Sequence, residues 1–416
     1  MALGLQGTKA VLDRLQLQHP PHIIHVAGSN GKGTACAIMA TALSLDGREN
    51  VLFTSPHVAR IEERIRRNGM PISPQEFDEA LARIRQAASG DENNANHELT
   101  FFEITYLIAM IASVGSEVLI LETGLGGRLD ATRSGPATVS LVTSVSREHR
   151  DILGSDLPAI AREKVAIARP NCPILIRNPE EVEVRKAMLD EAKNAGNASL
   201  GENCTPAEAF FVNIPSGVRV LDEAVELANA VFEKVGLGSD SIKQAKRDLR
   251  WPARMHQLSQ SETSSHPYLL DAAHNPSGLR RILPELEQFI TQNAPKSESG
   301  PVWTLLFGTS PQHDLTVMLS PLHELCQRIP PKQILLTLPH GGRYPGVSLE
   351  VLLEQNWSSK HPLTFPSVSQ AIETLDGNSA DNVGLVVSLG SLYLQGNILN
   401  AFDWASDENL SLFAKH

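Results

Sequence analysis

Short apolar runs alternate with longer helical stretches through the first part of the chain. His22 to Ala27, Glu117 to Glu122, Thr138 to Ser144 and Pro173 to Arg177 read as strands, separated by helical segments such as Thr34 to Leu45. These runs are apolar on both faces, as expected when helices cover both sides of a parallel sheet, so the fold class is α/β. The pattern restarts at Tyr268, with strands predicted at Tyr268 to Asp271, Trp303 to Phe307, Gln333 to Thr337 and Val383 to Ser388. A helical pattern over Asp240 to Leu249 ends just before Trp251-Pro252-Ala253, which places a hinge there. The expected domains are therefore 1–250 and a smaller α/β domain over 251–416. Asp91 to His97, Gly196 to Asn203, Ser259 to His266 and Thr291 to Gly300 have surface-loop composition, and no internal repeat is present.

Composition narrows the function. A chain of 416 residues with 42% hydrophobic content can bury a large core, and its formal net charge of -11 argues against a nucleic-acid partner, which demands clustered Lys and Arg. A small-molecule enzyme, expected as a monomer away from membranes, fits better. Cys36, Cys172, Cys204 and Cys326 form no C-x-x-C pair and read as reduced thiols. The opening Met1 to Gly7 shows neither a long apolar run nor an Arg-rich amphipathic pattern, so the cytoplasm is expected, with the mitochondrion left open.

The strand His22 to Ala27 runs into Gly28-Ser29-Asn30-Gly31-Lys32-Gly33-Thr34, and a helix follows. Phosphate binding needs glycines that let backbone N–H groups converge on the anion, a helix N-terminus for its dipole, and a point charge such as Lys32. The common G-x-x-x-x-G-K-[ST] pattern is not met, because Gly33 follows Lys32 and the hydroxyl comes at Thr34. A tight strand-to-helix turn is the bland alternative, but the strand, the lysine and the hydroxyl all fall in order. Glu122 ends a second strand, where a carboxylate points toward the ligand crevice of an α/β sheet and suits Mg²⁺, which takes carboxylate and phosphate oxygens.

The string G-S-N-G-K-G-T closely resembles the loop of the folylpolyglutamate and dihydrofolate synthase family, within the Mur ligase superfamily. Four further stretches carry the same resemblance: E-x-G-L-G-G-R-L-D-A-T from Glu122, T-S-P-H around Ser55, L-T-x-F-E at Leu99 to Glu103, and G-S-L-Y-L-x-G from Gly390. The R-R-N-G-M-P-I-S-P stretch is similar to eukaryotic, fungal-type members. The resemblance implies a parallel nucleotide-binding domain followed by a smaller Rossmann-like one, and it implies site roles. ATP phosphates would lie on Gly28 to Thr34, with Arg254 and Asp271 contributing from the W-P-A-R and D-A-A-H-N-P stretches. Magnesium would be held by Thr34, Ser55, Glu122, His149 and Lys164, with Lys164 carbamylated. Lys32, His149, Lys164 and His274 would be the catalytic set. Thr100, Phe102 and Asp130 would meet a pterin, and Ser391 is a weaker candidate for the glutamate pocket. For Phe101, core packing is the expectation; for Phe102, packing and pterin contact are equally supported.

The implied reaction adds L-glutamate to dihydropteroate through an acyl phosphate, using ATP and Mg²⁺. Folylpolyglutamate synthesis, a bifunctional enzyme, a divergent acid–amino-acid ligase and a nucleotide-binding paralogue without ligase activity are the alternatives. The last stays open because Val220 and Glu223 stand where the family has a Gln and an Asn beside the adenosine. Glu148 in place of an Asp, Val165-Ala166 in place of Ala-Gly, and Gln312-His313-Asp314 in place of D-K-D are further departures.

Overall fold

The computed structural model describes residues 5–90, 95–146, 156–197 (backbone alone at 196 and 197), 205–238, 240–263, 265–298, 300–342, 344–357 and 361–414. Two compact units emerge. The first comprises Met1–His57, Ile61–Leu249 and Ser411–His416; the second comprises Val58–Arg60 and Arg250–Leu410. The chain passes from one unit to the other at Leu249/Arg250, but the Val58–Arg60 segment and the C-terminal stretch are exchanged between units, which no hinge signal in the sequence indicates.

The first unit is built on an eight-stranded sheet of order β4-β3-β2-β5-β1-β6-β7-β8. Its strands are β1 (His22–Ala27), β2 (Asn50–Phe53), β3 (Ile65–Arg67), β4 (Met70–Pro71), β5 (Val118–Glu122), β6 (Val139–Val142), β7 (Ile174–Arg177) and β8 (Ala209–Val212). Six of them run parallel, while β3 and β4 add an antiparallel edge. Central β1, β5 and β6 are almost wholly buried because both faces are covered. The helix Lys32–Leu45 is apolar all round and buried from Thr34 to Leu43, and it packs against helices Val220–Val235 and Ile242–Asp248. Another core gathers Val11, Phe53, Tyr106, Leu119 and Leu121 beneath the helices Gln6–Leu15, Pro74–Ala88 and Phe101–Ala112. A third places Ala161, Val165 and Met188 of the helices Leu157–Val165 and Val182–Asn197 against Val142 and Ile176.

The second unit holds a six-stranded sheet of order β15-β14-β13-β16-β10-β9. These strands are β9 (His256–Leu258), β10 (Tyr268–Leu270), β13 (Trp303–Phe307), β14 (Gln333–Thr337), β15 (Leu363–Phe365) and β16 (Leu385–Leu389); β11 (Lys296–Ser297) and β12 (Gly300–Pro301) form a separate small hairpin. Only β9 is antiparallel to its neighbour in the six-stranded sheet. The sequence reading places Trp303–Phe307 and Gln333–Thr337 as observed. No strand is expected from the sequence at β2, β3, β4, β8, β9, β11, β12 or β15, which are short or carry polar residues, and Ser259 to His266 is expected as loop where a helical turn forms at Gln260–Thr263. No described helix is long and apolar enough to cross a membrane.

Candidate active site

β1 lies between β5 and β6, so the turn leaving β1 opens at the carboxyl ends of three parallel strands. Gly28 (φ 147°) and Gly31 (φ 85°) adopt conformations that L side chains rarely reach. A Cβ on Gly28 would lie 1.9 Å from the Thr143 hydroxyl, so only glycine permits this approach to the loop after β6. That loop braces the turn. Ser29 N–H donates to the Ser144 carbonyl (2.7 Å), Thr143 and Ser144 hydroxyls donate to the Asn30 carbonyl (2.8 and 3.1 Å), and the Ser146 N–H donates to Ser29 Oγ (2.9 Å). Asn30 Nδ2 also donates to Ser146 Oγ at 3.2 Å. Ser29 and Asn30 therefore shape the loop with both side chains and backbone.

The helix Lys32–Leu45 begins at Gly31, which has no side chain with which to cap it. The first N–H groups of an α-helix have no intrahelical acceptor, and the macrodipole leaves partial positive charge there. Lys32 Nζ donates to the Gly28 carbonyl at 3.0 Å, and Lys164 Nζ, from the helix Leu157–Val165, donates to the same oxygen at 2.9 Å. Lys164 is only 1% exposed. Two ammonium groups thus converge on one carbonyl beside an uncapped helix end, an arrangement that attracts anions. Thr34, one helical step beyond Gly33, is buried in the first turn.

Glu122 ends β5 at the level of Val26, two residues before Gly28. It is 6% exposed, and its Oε2 accepts the Ser55 N–H at 3.1 Å, which joins the T-S-P-H turn to the end of β5. The Ser55–Pro56 peptide is cis. Burial, followed by the negative charge at Glu122, holds the Cys36 thiol well above its ordinary range, while Lys32 acts in the opposite sense. Thr34, Ser55 and Glu122 offer hard oxygen donors, the class that Mg²⁺ selects. Together with the glycine cradle and uncapped helix end, they fit a magnesium–phosphate group. Among the described residues no three His, Cys, Asp or Glu side chains gather into a metal cage. His149 lies outside the described residues.

On the other side of β5, Phe102 is half-buried, its ring centroid 5.7 Å from that of Phe53, and it covers Gly124 so closely that a Cβ there would come within 2.7 Å. Phe101 departs from the core-packing expectation: it is 53% exposed and lies under the Arg64 guanidinium at 4.8 Å. Thr100 caps the helix Phe101–Ala112 in a reciprocal box with Glu103, so the L-T-x-F-E string has a local structural meaning as well. Asp130 is also committed to backbone. Its Oδ2 accepts the Gly124 and Leu125 N–H groups (2.8 and 2.9 Å), and its Oδ1 accepts the N–H and hydroxyl of Thr132. Burial raises its pKa, against the lowering effect of these hydrogen bonds.

Within the second unit, the exposed Arg254 follows Ala253, whose φ of 58° keeps the bend that a glycine would make. Asp271 directly follows β10 and is 3% exposed. Its two oxygens accept the Met255 and Ala273 N–H groups, each at 2.8 Å, so it braces the Arg254 bend. Burial raises its pKa, and the Arg254 charge opposes that. His274 donates from Nδ1 to the Ala272 carbonyl at 2.8 Å, which fixes the proton on that nitrogen. Ser391 is buried and caps the helix Leu392–Ala401 through Tyr393 N–H. Back in the first unit, Glu223 opens the helix Val220–Val235, and Arg177 donates to it at 3.2 Å, which offsets its charge. Sequence reasoning did not single out His25, Thr132, Arg169 or Gln395. His25 and Arg169 have partners remote in sequence, Gln395 reaches the distant Asp271 carbonyl, and Thr132 joins His25 from across the chain.

No protein-family model matches the chain. The chain is 38% identical over 194 residues to the dihydrofolate synthase/folylpolyglutamate synthase of Haemophilus influenzae, a match covering 46% of this chain and 42% of that protein. It is 32% identical over 288 residues to the Escherichia coli protein of the same name, covering 66% of each. These matches span less than two thirds of the relatives' own length. Among solved structures, E. coli FolC in complex with DHPP and ADP aligns with a TM-score of 0.76 at 26% identity, covering 97% of this chain and 94% of that one. A bifunctional folylpolyglutamate synthase/dihydrofolate synthase with Mn, AMPPNP and L-glutamate bound gives 0.77 at 26% identity, covering 97% and 95%. With its parallel glycine-loop unit and smaller Rossmann-like unit, the chain belongs to the dihydrofolate synthase/folylpolyglutamate synthase family and has the Mur ligase type of fold.

Proposed function

We propose that the protein is an ATP-dependent ligase that joins L-glutamate to dihydropteroate, giving dihydrofolate by way of an acyl phosphate. The observation that carries this reading is the convergence of Lys32 and Lys164 on the Gly28 carbonyl beside an uncapped helix N-terminus, with Glu122 and Ser55 joined close by. Thr34, Ser55 and Glu122, with Lys164 in its carbamylated form and His149 as the resemblance implies, would hold magnesium, which would supply charge neutralisation on the transferring phosphoryl group. Lys32 and the first-turn N–H groups bind and orient the phosphates, so that the substrate carboxylate can displace ADP in line. The glutamate amine then attacks the acyl carbon, and phosphate leaves. Phe102 offers a flat face to the pterin, with Thr100 and Asp130 at its edge. Arg254, Asp271, His274 and Ser391 serve the same reaction, Asp271 by holding the Arg254 bend.

Carbamylation of Lys164 has a physical motive. Two ammonium groups on one oxygen in a buried setting repel each other, and a carbamate would replace one cation by an oxygen anion suited to magnesium. Intact-mass measurement in bicarbonate is expected to show one carbamate per chain in the native protein and none in Lys164→Arg. The relatives' joint name supports trying tetrahydrofolate as a second acceptor. Release of ADP that requires dihydropteroate and glutamate supports the proposal; a requirement for tetrahydrofolate instead moves the protein to polyglutamylation. Nucleotide binding with no turnover of either acid would leave the paralogue reading, for which Val220 and Glu223 speak.

A further inference from the structure

His25 sits in the middle of β1 with no exposed surface, and none of the roles above uses it. Arg169 NH1 lies 2.9 Å from His25 Nδ1, and His25 Nε2 lies 2.7 Å from the Thr132 hydroxyl. An arginine carries donors only, so Nδ1 must accept and the ring proton must reside on Nε2. Nε2–H then donates to Thr132 Oγ1, which passes its own hydrogen to Asp130 Oδ1 at 2.5 Å. The result is a one-way relay with a cation at one end and a carboxylate at the other. Arg169 is further fixed by the carbonyls of Thr132, Gly135 and Ile167 at 3.3, 3.1 and 3.2 Å. At the far end, Asp130 Oδ2 holds the N–H groups of Gly124 and Leu125, the turn that leaves Glu122 and lies against the Phe102 ring.

We propose that His25, Thr132 and Arg169 are positioning residues that set the acceptor face of the site, by locking Asp130 and through it the Gly124–Leu125 turn beneath Phe102. The turn contains Gly124, Gly126 and Gly127, so the backbone has little stiffness of its own and depends on this clamp. Thr132 and Asp130 are fully or nearly buried, which strengthens each hydrogen bond and makes a broken one costly. Neutral His25 suits the relay: burial, followed by the charges of Arg169 and Arg133, holds its pKa well below the ordinary value. The effect on the acceptor acid rests on the proposed ligase reading; the relay itself does not.

Three measurements separate the two. Hydrogen exchange over residues 122–130 of the ligand-free full chain is expected to accelerate about tenfold in Thr132→Val and in His25→Asn, with the double variant no faster than either, while Thr132→Ser stays near wild type. Unchanged exchange in Thr132→Val and His25→Asn, or additive acceleration in the double variant, overturns the relay. Nitrogen-15 spectra of the wild-type protein need no variant to fold: His25 is expected neutral with the proton on Nε2 at neutral pH, and an Nδ1-protonated or charged ring overturns the relay. In steady-state assays Thr132→Val should raise the acceptor KM about tenfold, with kcat and the ATP KM within about twofold, and Thr132→Ser should restore it. A KM that follows neither substitution removes the acceptor role. If wild type consumes neither acid, the ligase reading fails while the exchange and nitrogen measurements still decide the relay.

Discussion

The bend after β1 and the bend before β9 each present a basic side chain, Lys32 in the first unit and Arg254 in the second, yet they are made from different materials. The first uses Gly28 and Gly31 at positive φ; the second uses Ala253 at 58° and Met255 at 45°. A left-handed L-residue costs about 1–2 kcal/mol, so the second bend needs outside support. Asp271 supplies it through Met255 N–H, and Ala272 N–H donates to the Ala253 carbonyl at 2.9 Å. The glycine bend carries no such strain and can direct its helix start at an anion. Glu122 and Asp271 are both buried strand-end acids; Asp271 accepts two backbone N–H groups and so braces its bend, while Glu122 is the proposed magnesium ligand.

Four substitutions test this contrast. Lys32→Ala removes the point charge at the glycine bend and is expected to lower turnover by at least about a hundredfold, with little change in thermal stability, since Lys32 is half-exposed. Asp271→Ala strips the brace from the other bend. Two backbone N–H groups lose a charged acceptor, and denaturant titration should show about 3 kcal/mol lost from the second unit. Gly28→Ala forces a Cβ onto the Thr143 hydroxyl and should cost about 1–3 kcal/mol, with part recovered in Thr143→Ala. The smallest effect is expected from Ala253→Gly. Relief of left-handed strain exceeds the added freedom of the unfolded chain by about 0.5 kcal/mol, so melting should rise slightly. A clear loss of stability there would mean that the bend carries no strain.

Much of this was legible in the chain. The largely apolar runs at β1, β5, β13 and β14 announced buried parallel strands, and the glycine turn announced the helix start that follows it. The Gly-to-Ala departure at Ala253 was visible too, but not the brace that tolerates it. What stayed hidden depends on distance along the chain. His25 looks like a stray polar residue in H-I-I-H-V-A, because its partners Thr132 and Arg169 are 107 and 144 positions away. The exchange of Val58–Arg60 into the second unit left no trace in composition for the same reason. Phe101 and Phe102 adjoin in sequence, yet helix geometry sends one toward solvent and the other onto Gly124, a split that an N-cap at Thr100 fixes.

The proposed role of the glycine bend is ligation of glutamate to a pterin acid. Its most direct test is ADP release by the purified full chain supplied with magnesium, ATP, dihydropteroate and L-glutamate. ADP is expected to form in step with dihydrofolate, only when both acceptor and amino acid are present, and to be lost in Lys32→Ala. ADP release indifferent to the acid, or full ligation retained by Lys32→Ala, would contradict it.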